Sequence, residues 1–255
     1  MESHAYDEMR ALEDRHWWFR GRRRLLAPLL GEALAASGAR VALEVGCGTG
    51  GNLAHFSARF PGTRFVGVDF DAGAVAYCAE RGFAHAVVRA DGTRLPLRDA
   101  SVDCVLAIDI VEHFEDDRAL LCELRRVLKP RGELVVNVPH HPWLWSPHDA
   151  VLHHKRRYAR GELQRKLAEA GFRVEREHGF NFLLLPPIAL VRLLRARRAR
   201  GADARGAGEP AGTDFFTLPA PLNAALGGVF ALEAALVRVL PIREGVSLML
   251  RAARV

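Results

Sequence analysis

Three carboxylates and one glycine loop are the residues of this chain whose types and spacing best suit chemistry. Residues 41–51, Val-Ala-Leu-Glu-Val-Gly-Cys-Gly-Thr-Gly-Gly, run an apolar segment straight into Gly46, Cys47, Gly48 and Gly50. Glycine admits positive φ and lets a ligand approach main-chain N–H groups, and the helix expected to follow adds the positive end of its dipole. Glu44 lies two residues ahead of Gly46, Asp69 closes the apolar run 64–69, and Asp91 follows the run 84–90. A carboxylate before the loop orders it or holds, through water, a ligand's ammonium. One at the second strand end accepts both ribose hydroxyls, and the third accepts from adenine's exocyclic amine. The set suits a zwitterionic adenosine ligand without phosphates. The spacing Gly46-x-Gly48-x-x-Gly51, with Asp69 downstream, also satisfies the dinucleotide fingerprint, so an NAD-dependent oxidoreductase stays open as an alternative.

Two histidines are candidate bases, because imidazole titrates near neutrality. His113 ends Asp109-Ile110-Val111-Glu112-His113, and His154 opens His154-Lys-Arg-Arg-Tyr158. The competing reading makes His113 a cap at a helix start and makes Arg157 and Tyr158 anchors of the next helix. His140, His141, His148, His153 and His154, with Asp149, lack a compact ligand spacing and no cysteine joins them, so no metal is expected. Cysteines 47, 78, 104 and 122 show neither metal nor redox spacing and read as reduced and structural.

These residues need a scaffold that brings several strand ends together. A helical segment is predicted over 5–36, then strands at 41–45, 64–69 and 84–90, a helix at 71–81, a strand at 102–109, a helix at 115–128 and a strand at 132–138. Lys129-Pro-Arg-Gly132 is a helix stop followed by a turn. Short apolar strands alternating with helices imply a parallel sheet covered on both faces, with ligands at the carboxyl ends of its strands. A helix at 161–170 and an alternating strand at 172–178 follow.

In this order Glu44-Val-Gly-Cys-Gly-Thr-Gly50, Val68-Asp69, Arg89-Ala-Asp91-Gly-Thr-Arg-Leu-Pro-Leu97, Asp109-Ile-Val-Glu-His113 and Leu128-Lys-Pro-Arg-Gly132 resemble the class I S-adenosylmethionine-dependent methyltransferases of the type 11 group, over about residues 40–138. The resemblance implies a doubly wound, Rossmann-like α/β sheet of seven strands, six parallel and one antiparallel, the last at 245–255. It implies S-adenosylmethionine as cofactor, bound by Glu44, Gly46, Cys47, Gly48, Gly50, Asp69, Phe70, Asp91, Gly92, Asp109 and Ile110. Trp17, Trp18 and Phe19 would form an aromatic lid over the donor, with Arg20 or Arg23 near its carboxylate. His16-Trp-Trp-Phe-Arg20, Trp143-Leu-Trp-Ser146 and His154–Tyr158 resemble a subgroup associated with bacterial surface-glycan or lipid pathways. A member that kept the fold but lost catalysis, binding a partner through its insertion, is a further alternative.

With 255 residues, 49% of them apolar, the chain can bury one substantial core and reads as a single methyltransferase domain. The N-terminus lacks signal-peptide organisation, so a cytoplasmic location is expected. The net charge of +6 is concentrated in arginine clusters at 20–24, 155–157 and 192–200. No RNA-binding motif accompanies them, so lipid or glycolipid phosphate outranks nucleic acid as a partner; the oligomeric state is left open. Between the last two strands lies an insertion, 181–240, of two apolar segments around a Gly/Ala/Arg/Asp spacer at 199–212 expected to be disordered. Neither segment has the ~20 uninterrupted apolar residues of a membrane span, and Pro186-Pro187 is expected to break the first. The segment 181–200 packs as a helical hairpin or lies on a membrane surface, with Arg192, Arg195, Arg197, Arg198 and Arg200 at lipid headgroups.

Overall fold

The computed structural model describes residues 3–202 and 217–255, with side chains for 6–194 and 217–255. Seven strands form one sheet in the order β3-β2-β1-β4-β5-β7-β6. They are β1 (Val41–Val45), β2 (Arg64–Asp69), β3 (Val87–Arg89), β4 (Val102–Ile108), β5 (Leu128–Pro139), β6 (Phe172–Phe180) and β7 (Ser247–Arg254). β7 runs antiparallel to both β5 and β6, and the remaining pairings are parallel, which gives the expected six-to-one sheet. Every residue of β4 is buried, as a central parallel strand covered on both faces requires. One face packs against α2 (Trp17–Ser37), α3 (Gly51–Arg59) and α9 (Ala220–Leu236), the other against α5 (Asp117–Val127) and α7 (Glu162–Glu169). The order β3-β2-β1-β4-β5 brings the carboxyl ends of β1, β2 and β4, and with them Glu44, Asp69 and Asp109, to one edge.

The local expectations need correction in several places, and the turn expected at 129–132 lies inside β5, with Arg131 at φ 62. The N-terminal segment is two helices, α1 (Ser3–Leu12) and α2, because His16 adopts an extended backbone and its Nδ1 accepts the Trp18 N–H at 3.3 Å, capping α2. The helix after β2 is α4 (Ala72–Cys78), capped by Asp71 and closed by a π-helical turn, Ala79–Phe83. The third strand is shorter than 84–90, as suits an edge with one neighbour. Pro186 and Pro187 do not break the insertion: they stand in the first turn of α8 (Leu185–Ala202), where a missing N–H leaves no helical bond unmade. Residues 199–202 finish α8, and the rest of the anticipated spacer, 203–212, lies outside the described residues.

The insertion is anchored through α9. Phe230 is fully buried against Gly21, where a Cβ would lie 2.1 Å from its ring, and it contacts Trp17, Trp18 and Phe180 edge-on. Buried Glu233 accepts the Asn181 and Phe182 N–H groups. By contrast, α8 exposes Leu190, Val191, Leu193 and Leu194. No helix among the described residues is long and apolar enough to cross a membrane.

Candidate functional site

The glycine loop turns directly off β1. Gly46 and Cys47 both donate to the Val68 carbonyl, at 2.8 and 3.1 Å, and Gly46, Gly48 and Gly50 all have positive φ. At Gly46 the constraint is double, because a Cβ would also fall 2.6 Å from Ile110. Asp69 accepts the Gly48 N–H at 2.8 Å and the Asp71 N–H at 3.0 Å, and burial followed by the Asp69 charge raises the Tyr6 phenol of α1. Burial raises the Asp69 carboxyl, against the pull of these backbone donors. Phe70 is exposed beside the Arg89 guanidinium. Asp91 is exposed and accepts the Thr93 N–H and hydroxyl, both at 2.8 Å. Gly92 is buried, and a Cβ there would press on Phe114, Leu120 and Val45.

Behind the loop runs a buried polar chain. Arg81 donates to Glu13 at 2.6 Å, and the Thr49 hydroxyl to the same carboxylate at 2.5 Å. Arg23 reaches Glu13 at 3.3 Å and Asn52 at 3.2 Å, and Asn52 donates to Glu44 Oε1 at 2.8 Å. Glu44 Oε2 is buried with no partner, and burial pushes the carboxyl up to about 7 against Asn52, Arg22 and Arg23. An orphaned carboxylate oxygen under side-chain-free backbone is the fit expected for the ammonium end of S-adenosylmethionine.

The neighbouring cluster grows from the end of β4. Asp109 has φ 51, an uncommon conformation that turns the chain sharply, and its carboxylate takes the Arg22 guanidinium and the Asn137 amide. Glu112 is fully buried, with neither oxygen bonded, and its carboxyl is raised well above the usual range by burial and then by Asp109. The rings of His113 and His154 meet edge to face, with centroids 4.8 Å apart, and His154 Nε2 lies 3.9 Å from Glu112 Oε1. Burial, and then His154, pushes His113 down to about 3. Asp149, completely buried, accepts from His154 Nδ1 at 3.0 Å, Arg157 at 2.8 Å and the Ser146 N–H at 2.9 Å. Burial raises its carboxyl, but the His154 and Arg157 contacts outweigh that and hold it below the usual range.

The structure therefore brings Glu44, Gly46, Cys47, Gly48, Gly50, Asp69, Asp109 and Ile110 around the strand ends, and joins His113 to His154 beside them. Two expected residues stand elsewhere. Arg20 faces solvent on α2, and Arg22 meets Asp109 instead, because the helix begins at His16 and this sets its phase. Trp18 packs against Phe180 and Phe230, so Trp17 and Trp18 hold the α2–α9 interface and form no lid. α1 covers the loop, with Tyr6 near Asp69 and Met9 beside Gly48. Arg192 turns inward to the Leu144 carbonyl and lies 3.8 Å from Asp149, not toward a headgroup. The side chains of Arg195, Arg197, Arg198 and Arg200 lie outside the described residues. Sequence reasoning missed Glu13, Arg22 and Asn52 as site residues and gave Glu112 no role. Arg23, named from the sequence as the alternative to Arg20, carries its own signal: it shares the i, i+4 stripe with Phe19 and the leucines of α2, a charge on the apolar face.

A family model described as a methyltransferase domain, of the type 11 group, matches residues 43–136. A probable S-adenosylmethionine-dependent methyltransferase of Mycolicibacterium smegmatis is 33% identical over 168 residues, 64% of this chain and 62% of that protein. Another, from Mycobacterium tuberculosis, is 31% identical over 201 residues, 77% of this chain and 66% of its own length. The matches thus span a little under two thirds of these relatives. A solved SAM-dependent methyltransferase from Archaeoglobus fulgidus shares the fold, with a TM-score of 0.57 at 20% identity over 92% of this chain and 96% of that one. The glycine loop, strand-end acids and seven-stranded sheet of this chain agree with these likenesses, and residues 43–136 form a methyltransferase domain of the type 11 group of class I S-adenosylmethionine-dependent methyltransferases.

Proposed function

We propose that the protein transfers the methyl group of S-adenosylmethionine to an oxygen atom of a small or lipid-linked acceptor at the cytoplasmic face of the membrane. One observation carries the donor half: the buried, unpartnered Glu44 oxygen beside a loop that glycines keep free of side chains. An aminoacyl sulfonium nucleoside brings an ammonium to that oxygen, and NAD brings none. Asp69 accepts the ribose hydroxyls, Phe70, Asp91 and Gly92 flank the adenine, and Asp109 with Ile110 borders the methionine portion.

Bound S-adenosylmethionine supplies a methyl carbon already activated for in-line displacement, so the chain mainly aligns the acceptor and excludes water. A hydroxyl acceptor must lose its proton, and Glu112, His113 and His154 are the groups beside Asp109 that can manage it. Asp149 fixes the His154 tautomer by holding Nδ1, which leaves Nε2 toward Glu112. Support for a lipid-linked acceptor comes from the apolar surface next to this cluster. Trp143 and Trp145 are exposed on the turn whose Leu144 carbonyl binds Arg192 of α8, and Leu190, Val191, Leu193 and Leu194 are exposed on the same helix. Residues 181–200 would thus touch a bilayer peripherally.

Calorimetric titration with S-adenosylhomocysteine and, separately, NAD tests the donor assignment; binding of NAD alone would sink it. Labelled donor incubated with a host lipid and metabolite extract identifies the acceptor, and label on nitrogen or carbon only would overturn the oxygen assignment. Failure to co-sediment with anionic liposomes at low salt would remove the membrane contact.

A further inference from the structure

We propose that Glu112, His113 and His154 form a divalent transition-metal site, with Asp149 as the group that orients His154. The inference deepens the acceptor reading above, since it names how this cluster would hold the acceptor's oxygen, but its geometry stands without the donor. One ligand atom from each of the three residues lies within 4.8 Å of the others. Metal–nitrogen and metal–oxygen bonds of about 2.0–2.2 Å would set neighbouring ligand atoms roughly 3.0–3.4 Å apart, so binding draws the cluster in from the 3.9 Å between His154 Nε2 and Glu112 Oε1 and from the 4.8 Å bound on the other pairs.

Two features point to a cation. Glu112 is completely buried and neither of its oxygens accepts a hydrogen bond, an arrangement that is costly for a carboxylate unless something positive meets it. Arg157, the nearest buried guanidinium on this segment, is already taken by Asp149 and the His140 carbonyl. His154 donates Nδ1 to that same Asp149, which is the carboxylate–histidine relay that orients metal-ligating imidazoles and raises their basicity. The segment is also pinned in place, because the Lys155 N–H donates to the Glu112 carbonyl at 2.8 Å. Two imidazoles and one carboxylate form a mixed nitrogen and oxygen donor set that suits zinc, manganese, iron or cobalt over calcium and magnesium, and three protein ligands leave coordination positions for an acceptor oxygen. The other group of this kind among the described residues, His140, His141 and Glu244, is less suited: its imidazoles stack at 3.8 Å, and its half-exposed carboxylate is shared with Arg160.

The test uses the full chain, stripped with chelator and titrated with cobalt(II), which reports coordination by its visible absorption, alongside equilibrium dialysis for stoichiometry. One cobalt per chain is expected, displaceable by zinc. The near-isosteric Glu112→Gln and His154→Asn should each weaken binding at least tenfold with unchanged circular dichroism, Asp149→Asn by about 10–100-fold as an outer-shell change, and His141→Ala not at all. No saturable cobalt binding to the folded wild-type chain would overturn the proposal. So would binding that survives Glu112→Gln and His154→Asn, or that disappears with His141→Ala. S-Adenosylhomocysteine affinity, measured on the same stripped samples, separates the two readings: donor binding without metal binding refutes this site alone, and the converse refutes the donor assignment alone.

Discussion

Replacing Glu44 by glutamine should make the ligand-free protein less sensitive to pH and weaken its grip on the donor. Burial lifts this carboxyl from an ordinary 4.5 to about 7, so the folded chain keeps a proton that the unfolded chain has released. For an acid raised on folding, the contribution to stability is complete below the unfolded value and is lost as pH climbs through the folded one. At about 1.4 kcal/mol per unit, the full loss is ~3 kcal/mol, of which roughly 2.5 kcal/mol falls between pH 5 and pH 8. Glutamine cannot ionise, and its carbonyl can still accept from Asn52, as Glu44 does at 2.8 Å. Its amide would stand where Oε2 lacks a partner, at a pH-independent cost of about 1–3 kcal/mol. The slope, not the offset, is therefore the diagnostic. Urea unfolding followed by circular dichroism from pH 5 to pH 8 should show variant and wild type diverging in the variant's favour by roughly 2.5 kcal/mol. Calorimetry should show wild-type affinity for S-adenosylhomocysteine rising through pH 7, and a variant weaker by about 1.5–3 kcal/mol with little of that rise. Parallel stability curves would refute the burial argument, and undiminished affinity would refute contact with the ammonium.

Gly46→Ala combines a left-handed backbone, which costs a side-chain-bearing residue about 1–2 kcal/mol, with a Cβ 2.6 Å from Ile110, so donor binding should fail while the far-ultraviolet spectrum persists. Asp69→Ala should weaken S-adenosylhomocysteine by about 1.5–3 kcal/mol in calorimetry. Asp149→Ala strips buried Arg157 of its carboxylate and should lower unfolding free energy by about 3–5 kcal/mol in denaturant titration. His154→Ala should reduce turnover of the identified acceptor by about 10²–10⁴-fold while donor affinity holds, and wild-type turnover in the His113→Ala, His154→Ala double variant would remove both residues from the chemistry.

The fold around the glycine loop was legible because its information is local. A strand, a glycine loop and an acid at each strand end are written in consecutive residues, and the parallel order follows from the alternation of apolar runs with helices. Where the chain's phase depended on a single cap, reading failed: His16 starts α2, and that one residue decides that Arg22 and not Arg20 faces Asp109. Trp17 and Trp18 resembled a lid because aromatic residues beside a ligand loop and aromatic residues in a helix interface share a composition; only the position of Phe230 separates them. Glu112 and His154 come from separate segments, and no periodicity records that Lys155 bonds the Glu112 carbonyl and so brings them together. The prolines of α8 were misread because Pro-Pro ends a helix or begins one equally well, depending on what precedes it.

Residues 140–158 leave the sheet and return to it at almost the same place. His140 and Tyr158 form a parallel bridge, the His141 N–H meets the Tyr158 carbonyl at 3.0 Å, and the Tyr158 N–H meets Pro139 at 2.9 Å. Inside that closed contour, Asp149 ties Ser146, His154 and Arg157 to one another. A loop with joined ends and an internal brace can be exchanged as a cassette between relatives that keep Asp117 for the Tyr158 hydroxyl and an arginine in the place of Arg192. Because the joint closes on itself, one stretch of nineteen codons can be replaced while the glycine loop and its acids stay untouched, and on the proposed acceptor reading such chimeras should differ in the acceptor they methylate.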